Sequence, residues 1–255
     1  LACLQARLVA DNDADSFFSR QFALEYACLF DQLIPWFHRN NWPFPLGGTS
    51  NHFRRSALEA VGGWDKFNVT EDADLGVRLA RFGYRTGVLA SATYEEAPIS
   101  WRAWFAQRAR WYKGWFQTVL VHTRDPLRTG RELGWKRFGA LAVMFVGSLL
   151  LIALHPVFCV VFAAYLLGLV PPPLSGSAAN GAFLGLCIGA SLAGYIGAAA
   201  ALWLAAAKRG LSPRIRDLCG LPFYWLCTGA ACYRAIWEFL VSPYHWNKTE
   251  HGLTK

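Results

Sequence analysis

The sequence predicts an α/β unit followed by membrane-embedded α-helices, and three observations carry that reading. Over residues 1–97 short alternating apolar runs trade places with stretches of helical spacing, punctuated by Gly-rich turns. Over residues 138–207 no charged side chain occurs, where an average soluble stretch of that length carries roughly 17. The whole chain of 255 residues is 54% apolar and only 16% charged, which argues against a wholly soluble protein.

In the first unit, residues 3–9 alternate like a strand and residues 17–36 have helical spacing. Gly47-Gly48-Thr49-Ser50-Asn51 reads as a tight loop leading to a short helix near 56–61, which Gly62-Gly63 stops. A second helix is expected from Thr70, as its cap, to Gly83, with Leu75, Leu79 and Phe82 on one face. Residues 84–89 then read as a strand. Residues 1–97 therefore form one unit, 98–137 an amphipathic interface helix and linker, 138–241 the membrane-embedded part and 242–255 a polar tail.

From 101 to 122 the pattern is helical and strongly aromatic, with Arg102, Arg108, Arg110 and Lys113 interleaved, as in a helix lying along a bilayer surface. Residues 138–170 and 180–207 are each long enough to span the hydrocarbon, with an uncharged Pro-rich turn at 171–177 between them. Basic clusters flank the pair, Arg128/Arg131/Lys136/Arg137 before it and Lys208/Arg209/Arg214/Arg216 after it. By the positive-inside rule both clusters and the first unit are cytoplasmic and Ser175 is external, so the expected location is the cell membrane, multi-pass. A third apolar run at 218–233 is open to three readings: re-entrant, interfacial or spanning. The formal charge of +8 beside such segments marks a cytoplasmic membrane face rather than nucleic-acid binding. The seven cysteines show no CxxC spacing, which favours buried free thiols over disulfides or zinc. The chain opens at Leu1 and its only methionine is Met144, so an upstream segment is expected.

Two constellations could carry chemistry. Glu71, Asp72 and Asp74 crowd one helix start; they complement the helix dipole, and a carboxylate so placed can also serve as a catalytic base. Gln107, Arg110, Trp111 and Gly114 fall at i, i+3, i+4 and i+7, so an amide, a guanidinium and an indole share one helix face. Together they offer a diphosphate clamp, a positioning group and a flat surface for a sugar ring.

Thr70-Glu71-Asp72, followed about 35 residues later by Gln107-Arg108-Ala109-Arg110-Trp111 and then by membrane spans, resembles the membrane-bound family 2 glycosyltransferases of the cellulose-synthase-like kind. The likeness is specific across 47–118, weaker over 2–47, and resumes in the tail at Pro243-Tyr244-His245-Trp246-Asn247-Lys248-Thr249-Glu250-His251-Gly252. It implies the C-terminal, acceptor-side half of a GT-A-like nucleotide-sugar transferase domain. By that match Asp72 is the base with Glu71 beside it, Gln107 and Arg110 lie toward the departing nucleotide diphosphate, and Trp111 faces the acceptor sugar. Ser50, Asn51 and His52 are candidates for the acceptor side. The resemblance also implies a divalent cation, Mg or Mn, in the intact enzyme. Its Asp-x-Asp ligands belong well over a hundred residues upstream of Thr70, where only 69 exist. Asp13-Ala14-Asp15 follows the strand that carries Gln5, which in the family comes after the metal motif. It is read as a solvated acidic loop, and no metal ligand is assigned in this stretch.

The reading is an inverting transfer from a nucleotide-sugar donor to a glycan acceptor, in polysaccharide synthesis, with membrane lipids as further partners and no nucleic acid. Its rivals are a non-processive transferase acting on a lipid-linked acceptor and a non-catalytic membrane scaffold. His122 and His155 read as packed rather than ligating. Glu95-Glu96, ending a strand, is equally open to a site-orienting role and to a solvated loop.

Overall fold

The computed structural model describes residues 1–171 and 176–245. Part of the Pro-rich turn, with Ser175, and the tail from Trp246 onward therefore lie outside the described residues. β1 (Cys3–Ala10) is the central strand of a three-stranded sheet, with five of its eight residues buried. β2 (Asn51–Phe53) pairs with it antiparallel and β3 (Thr86–Glu95) parallel, with a register break after Ala6. β3 runs six residues past the sequence expectation, because Ser91 and Thr93 on an edge strand do not give the apolar alternation of a buried one.

α1 (Phe17–Cys28) begins with a reciprocal cap in which the Ser19 N–H donates to Ser16 Oγ and the Ser16 N–H to Ser19 Oγ. It continues through a π-helical turn at Leu29–Leu33 into α2 (Ile34–Arg39), burying Phe22, Phe30, Ile34 and Phe37 on the sheet side of the core. α3 (Arg55–Ala60) stops at Gly62 and Gly63, both with positive φ, as the glycine pair predicts. α4 (Glu71–Arg81) buries Leu75, Val77 and Leu79, but Phe82 lies past its last turn and is 58% exposed rather than on that face. Thr70 is not a side-chain cap among the described residues. Its N–H donates to Asn68 Oδ1, and the N–H of Ala73 is taken by Asp72 Oδ1.

α5 (Trp101–Thr123) is capped by Ser100. It departs from the expected bilayer-surface helix, because Trp104 and Lys113 are fully buried and α5 packs on α4 and on a late helix of the chain. α6 (Pro126–Leu133), capped by Asp125, leads through Gly134 into α7 (Trp135–Ala142), a π-helical turn at Val143–Gly147, and α8 (Ser148–Leu166). α9 (Ser177–Lys208) returns, and α10 (Ile215–Cys219) and α11 (Leu221–Val241) follow. The continuous helix Trp135–Leu166 and α9 are 32 residues each. At 1.5 Å per residue that is about 48 Å, ample for a hydrocarbon core of about 30 Å. Many of their apolar side chains face outward, Leu151 73% and Leu186 70% exposed, as expected of surface that lipid would cover.

The third apolar run is α11, docked along α5 and α8 with Tyr224, Ala231, Cys232 and Ala235 buried. A Cβ at Gly229 would stand 2.2 Å from Pro156 Cγ, so the glycine is what lets α11 and α8 touch. Tyr195 of α9 stacks on Trp225 at 4.9 Å and bonds His155 at 2.6 Å, joining all three helices. Ion pairs tie these helices to the first unit: Arg209 to Asp31 at 2.5 Å and Arg20 to Asp217 at 3.1 Å. Arg20 also holds Asp13, so that residue is an ion-pair partner rather than part of a solvated loop. The seven cysteines are free, with Cys3, Cys227 and Cys232 buried, Cys28, Cys159 and Cys187 half-buried and Cys219 exposed, so burial was expected for more of them than the fold provides.

Candidate active site

The site grows from the middle of β1. Gln5, buried in that strand, accepts the Gly47 N–H at 2.7 Å and donates to Thr49 O at 3.0 Å, so one side chain fixes both ends of the glycine loop. Ser50 sits in the left-handed region (φ 58°), a strain normally costing about 1–3 kcal/mol. The Ala6 N–H bond to Ser50 O at 3.0 Å and the bond between the Ser50 and Thr93 hydroxyls hold it there. Asn51 turns its amide back onto Gly47 O. Its visible work is to clamp the loop rather than to face an acceptor. His52 is exposed on β2 and, one residue on, points to the opposite side of the sheet.

The loop lies over the start of α4. Gly76 admits the Phe44–Leu46 backbone, since a Cβ there would stand 2.6 Å from Phe44 O. A Cβ at Gly48 would stand 3.4 Å from Asp72 Oδ2. Burial pushes the Asp72 carboxyl up from 3.8 to about 6; the Ala73 N–H bond opposes the rise, Glu71 adds to it, and Arg110 opposes it.

α5 is riveted to α4 along one face. A Cβ at Gly114 would collide with Thr70 Oγ1 at 2.1 Å, so only glycine permits the approach. The Val69 N–H donates to Gln117 Oε1 at 2.9 Å and Asn68 Nδ2 to Thr118 Oγ1 at 3.0 Å. Further on, His122 Nε2 donates to buried Asp74 at 2.8 Å while its Nδ1 accepts from Arg81 at 3.0 Å. These contacts bring Arg110 to the acidic helix start. Its guanidinium is half-buried, and burial lowers its pKa while the Glu71 and Asp72 charges raise it. One turn earlier Gln107 is buried, and among the described residues its Oε1 has no hydrogen-bond partner. Trp111 is half-buried, one face occupied by the Arg108 guanidinium at 5.0 Å and its ring 6.0 Å from Phe22. The structure thus brings Arg110 toward Glu71 and Asp72, with Gly48 of the loop against Asp72, carries Gln107 and Trp111 on the same helix as Arg110, and leaves His52 aside.

Several residues at the site carry no sequence signal. Arg108 is wholly buried, paired with Glu25 and bonded to Tyr224 Oη at 3.1 Å, its stem among aromatic rings. Lys113 donates to the carbonyls of Ser242 and His245 at 2.8 and 2.7 Å, and Gln117 to Pro243 O at 3.0 Å. The beginning of the tail is therefore laid across α5, one to two turns beyond Arg110. Only the i+3 and i+7 spacing of Lys113 and Gln117 from Arg110 hinted at this. Thr49 donates to Glu95 at 3.2 Å, which favours the orienting role for that glutamate.

A half-buried carboxyl opposed by a guanidinium thus sits in a chain with two helices long and apolar enough to cross a membrane. The family model described as glycosyl transferase family group 2 matches residues 1–196, and the chain belongs to that family. It is 40% identical over 76 residues to the probable glycosyltransferase YdaM of Bacillus subtilis, covering 29% of this chain and 18% of that one. It is 31% identical over 139 residues to the β-monoglucosyldiacylglycerol synthase of Synechocystis, 52% of this chain and 28% of that protein. Over 103 residues it is 32% identical to the probable glucomannan 4-β-mannosyltransferase 1 of Arabidopsis thaliana, 40% of this chain and 19% of that one. The chain thus matches less than a third of each of these relatives.

Proposed function

We propose that this chain is the acceptor-side part of a GT-A-like, inverting glycosyltransferase at the cytoplasmic membrane face, and that it passes a sugar from a nucleotide-sugar to a growing glycan. In one displacement the acceptor oxygen bonds to the anomeric carbon as the bond from that carbon to the diphosphate oxygen breaks. Asp72 takes the acceptor's proton, and the nucleoside diphosphate leaves with the electron pair. Arg110 meets the growing charge on the diphosphate, the unpartnered Gln107 carbonyl accepts a bond from a bound hydroxyl, and Trp111 with Ser50 borders the acceptor. The exposed His52 is kept only as a contact for a longer acceptor. Family members commonly use a divalent cation, but no group of three or more His, Cys, Asp or Glu among the described residues is placed to hold one. The residues present do not fit that ion, and no step here is routed through it.

The observation that carries the reading is the half-buried Asp72 carboxyl, pushed up to about 6 within reach of the Arg110 charge. Asp72→Asn in the full-length protein is expected to keep fold and donor binding and to lower turnover by about two orders of magnitude or more. The assay is sugar transfer from labelled nucleotide-sugar in membranes at matched protein levels. Near-normal transfer would remove the assigned base. A lipid acceptor is the second reading, favoured by the 139-residue likeness to a protein named for making β-monoglucosyldiacylglycerol. The labelled product decides: label extracted into organic solvent marks a lipid acceptor, and aqueous-insoluble polymer marks a glycan.

A further inference from the structure

We infer that Arg108 is a positioning residue for the acceptor: it locks the Trp111 indole in one plane, so that the ring is ready to receive a pyranose of the glycan. The inference rests on the reading of Trp111 as a border of the acceptor site, and adds that groups outside that site set the ring.

Trp104, Arg108 and Trp111 fall at i, i+4 and i+7, so one face of α5 carries a guanidinium between two indoles. The Arg108 guanidinium lies over the Trp111 ring at 5.0 Å, over Phe22 at 5.3 Å and over Trp104 at 5.6 Å. Two other helices fix it there. α1 supplies Glu25, its ion-pair partner, and α11 supplies the Tyr224 hydroxyl, which accepts from Arg108 Nη2 at 3.1 Å. That hydroxyl also accepts from Trp104 Nε1 at 3.1 Å and donates to Glu25 at 2.8 Å, so its one donor and both lone pairs are used. The arginine side chain is only 8% exposed, and its Nε has no hydrogen-bond partner among the described residues.

Stability alone does not call for this group. A buried ion pair replaced by apolar side chains of similar volume commonly costs nothing, and a methionine would fill the space among Phe22, Trp104 and Trp111. What the guanidinium adds is a rigid plane and a charge against the ring faces. Its Nε forgoes a hydrogen bond for that placement. Trp111 is half-buried, which leaves ring surface for a sugar. An indole already locked when the acceptor arrives spares the entropy of ordering it. The anchor on α11 ties this setting of the ring to the last apolar helix of the chain.

The test uses the full-length protein in membranes, with labelled nucleotide-sugar as donor and cellotetraose, whose all-equatorial rings present C–H faces, as acceptor probe. Each is titrated at saturating levels of the other. Arg108→Met is expected to raise the KM for cellotetraose about tenfold, with changes below about threefold in kcat and in the donor KM. In a Trp111→Leu background, which itself raises that KM, the same substitution should add less than about twofold, because it acts through a ring no longer there. Tyr224→Phe deletes the hydroxyl that fixes Arg108 and keeps the ring beside Trp104. It should raise the cellotetraose KM about threefold, and it keeps the idea falsifiable if Arg108→Met fails to fold. Equal losses from Arg108→Met with and without Trp111, a parallel rise in the donor KM, or an unchanged cellotetraose KM in Tyr224→Phe would each overturn the positioning role and leave Asp72 and Trp111 their assignments. A Trp111→Leu protein with the parent's cellotetraose KM, or a parent that ignores the tetrasaccharide, would remove the acceptor reading itself and the inference with it.

Discussion

Asp72 shows how one residue's surroundings set its chemistry. Because burial raises its carboxyl to about 6, the ionised form that accepts a proton dominates only above that pH, and transfer should fall away on the acid side with a limb near pH 6. The neighbours give signed tests of the assignment. Arg110 favours the ionised form, so Arg110→Gln should move the acid limb to higher pH; Glu71 disfavours it, so Glu71→Gln should move the limb lower. A pH–rate profile that ignores both substitutions would detach the limb from Asp72. Arg110→Lys keeps the charge but loses the fork, and is expected to lower turnover about tenfold or more with the limb nearly in place. Stability carries the opposite sign from the usual carboxylate. The folded state holds the Asp72 proton more tightly than the unfolded chain, so ionisation weakens the fold progressively from about pH 4 to about pH 6. Asp72→Asn should therefore melt no lower than the parent at pH 7, which would separate lost catalysis from lost folding.

At the scale of elements the site depends on how closely α4 and α5 approach. Gly114→Ala would press a methyl into Thr70, at a cost of about 1–3 kcal/mol, and should lower both the melting temperature and the transfer rate. His122→Ala leaves Asp74 with Arg78 as its remaining side-chain partner and should cost about 2 kcal/mol. Burial works against Asp74 ionising, but the bonds from His122 and Arg78 outweigh it and hold the carboxyl below its ordinary value. That stabilisation is present above the unfolded pKa and is lost as pH falls through the folded one. His122→Ala should therefore melt less far below the parent in acid than at neutral pH, as thermal unfolding in detergent would show. Periodicity made α1, α4, α5 and α9 legible as helices, and the motif spacing brought Asp72 and Arg110 to one place. What it could not show depends on partners distant in sequence. Arg108 looks like an interfacial arginine until Glu25, 83 residues away, is seen beside it. Asn51 reads as a ligand-facing amide until the loop folds back to give it Gly47 O. Thr70 matches a cap by type, yet Asp72 takes the Ala73 N–H that its side chain would have served.

At the scale of the whole molecule, the ends of the two long helices argue for their direction. α7 starts from α6, which Arg81 and Glu132 bind to α4, and α9 ends where Arg209 grips Asp31. Both of these helix ends therefore belong to the unit that holds Asp72, and both are basic, so if the helices span a bilayer the positive-inside rule puts that unit on the cytoplasmic side. A pair of helices that leaves and re-enters on one side must place its connecting turn on the other. Single cysteines introduced at Ser177 and at Arg214, in a full-length protein stripped of native thiols, test this with a membrane-impermeant maleimide. The Ser177→Cys protein should label in intact cells and the Arg214→Cys protein only after permeabilisation. Labelling of both before permeabilisation would place the basic loop outside, and Asp72 with it, beyond the reach of cytoplasmic nucleotide-sugars. Labelling of neither would mean that the two helices do not cross, and that the first unit rests on a membrane rather than hanging from one.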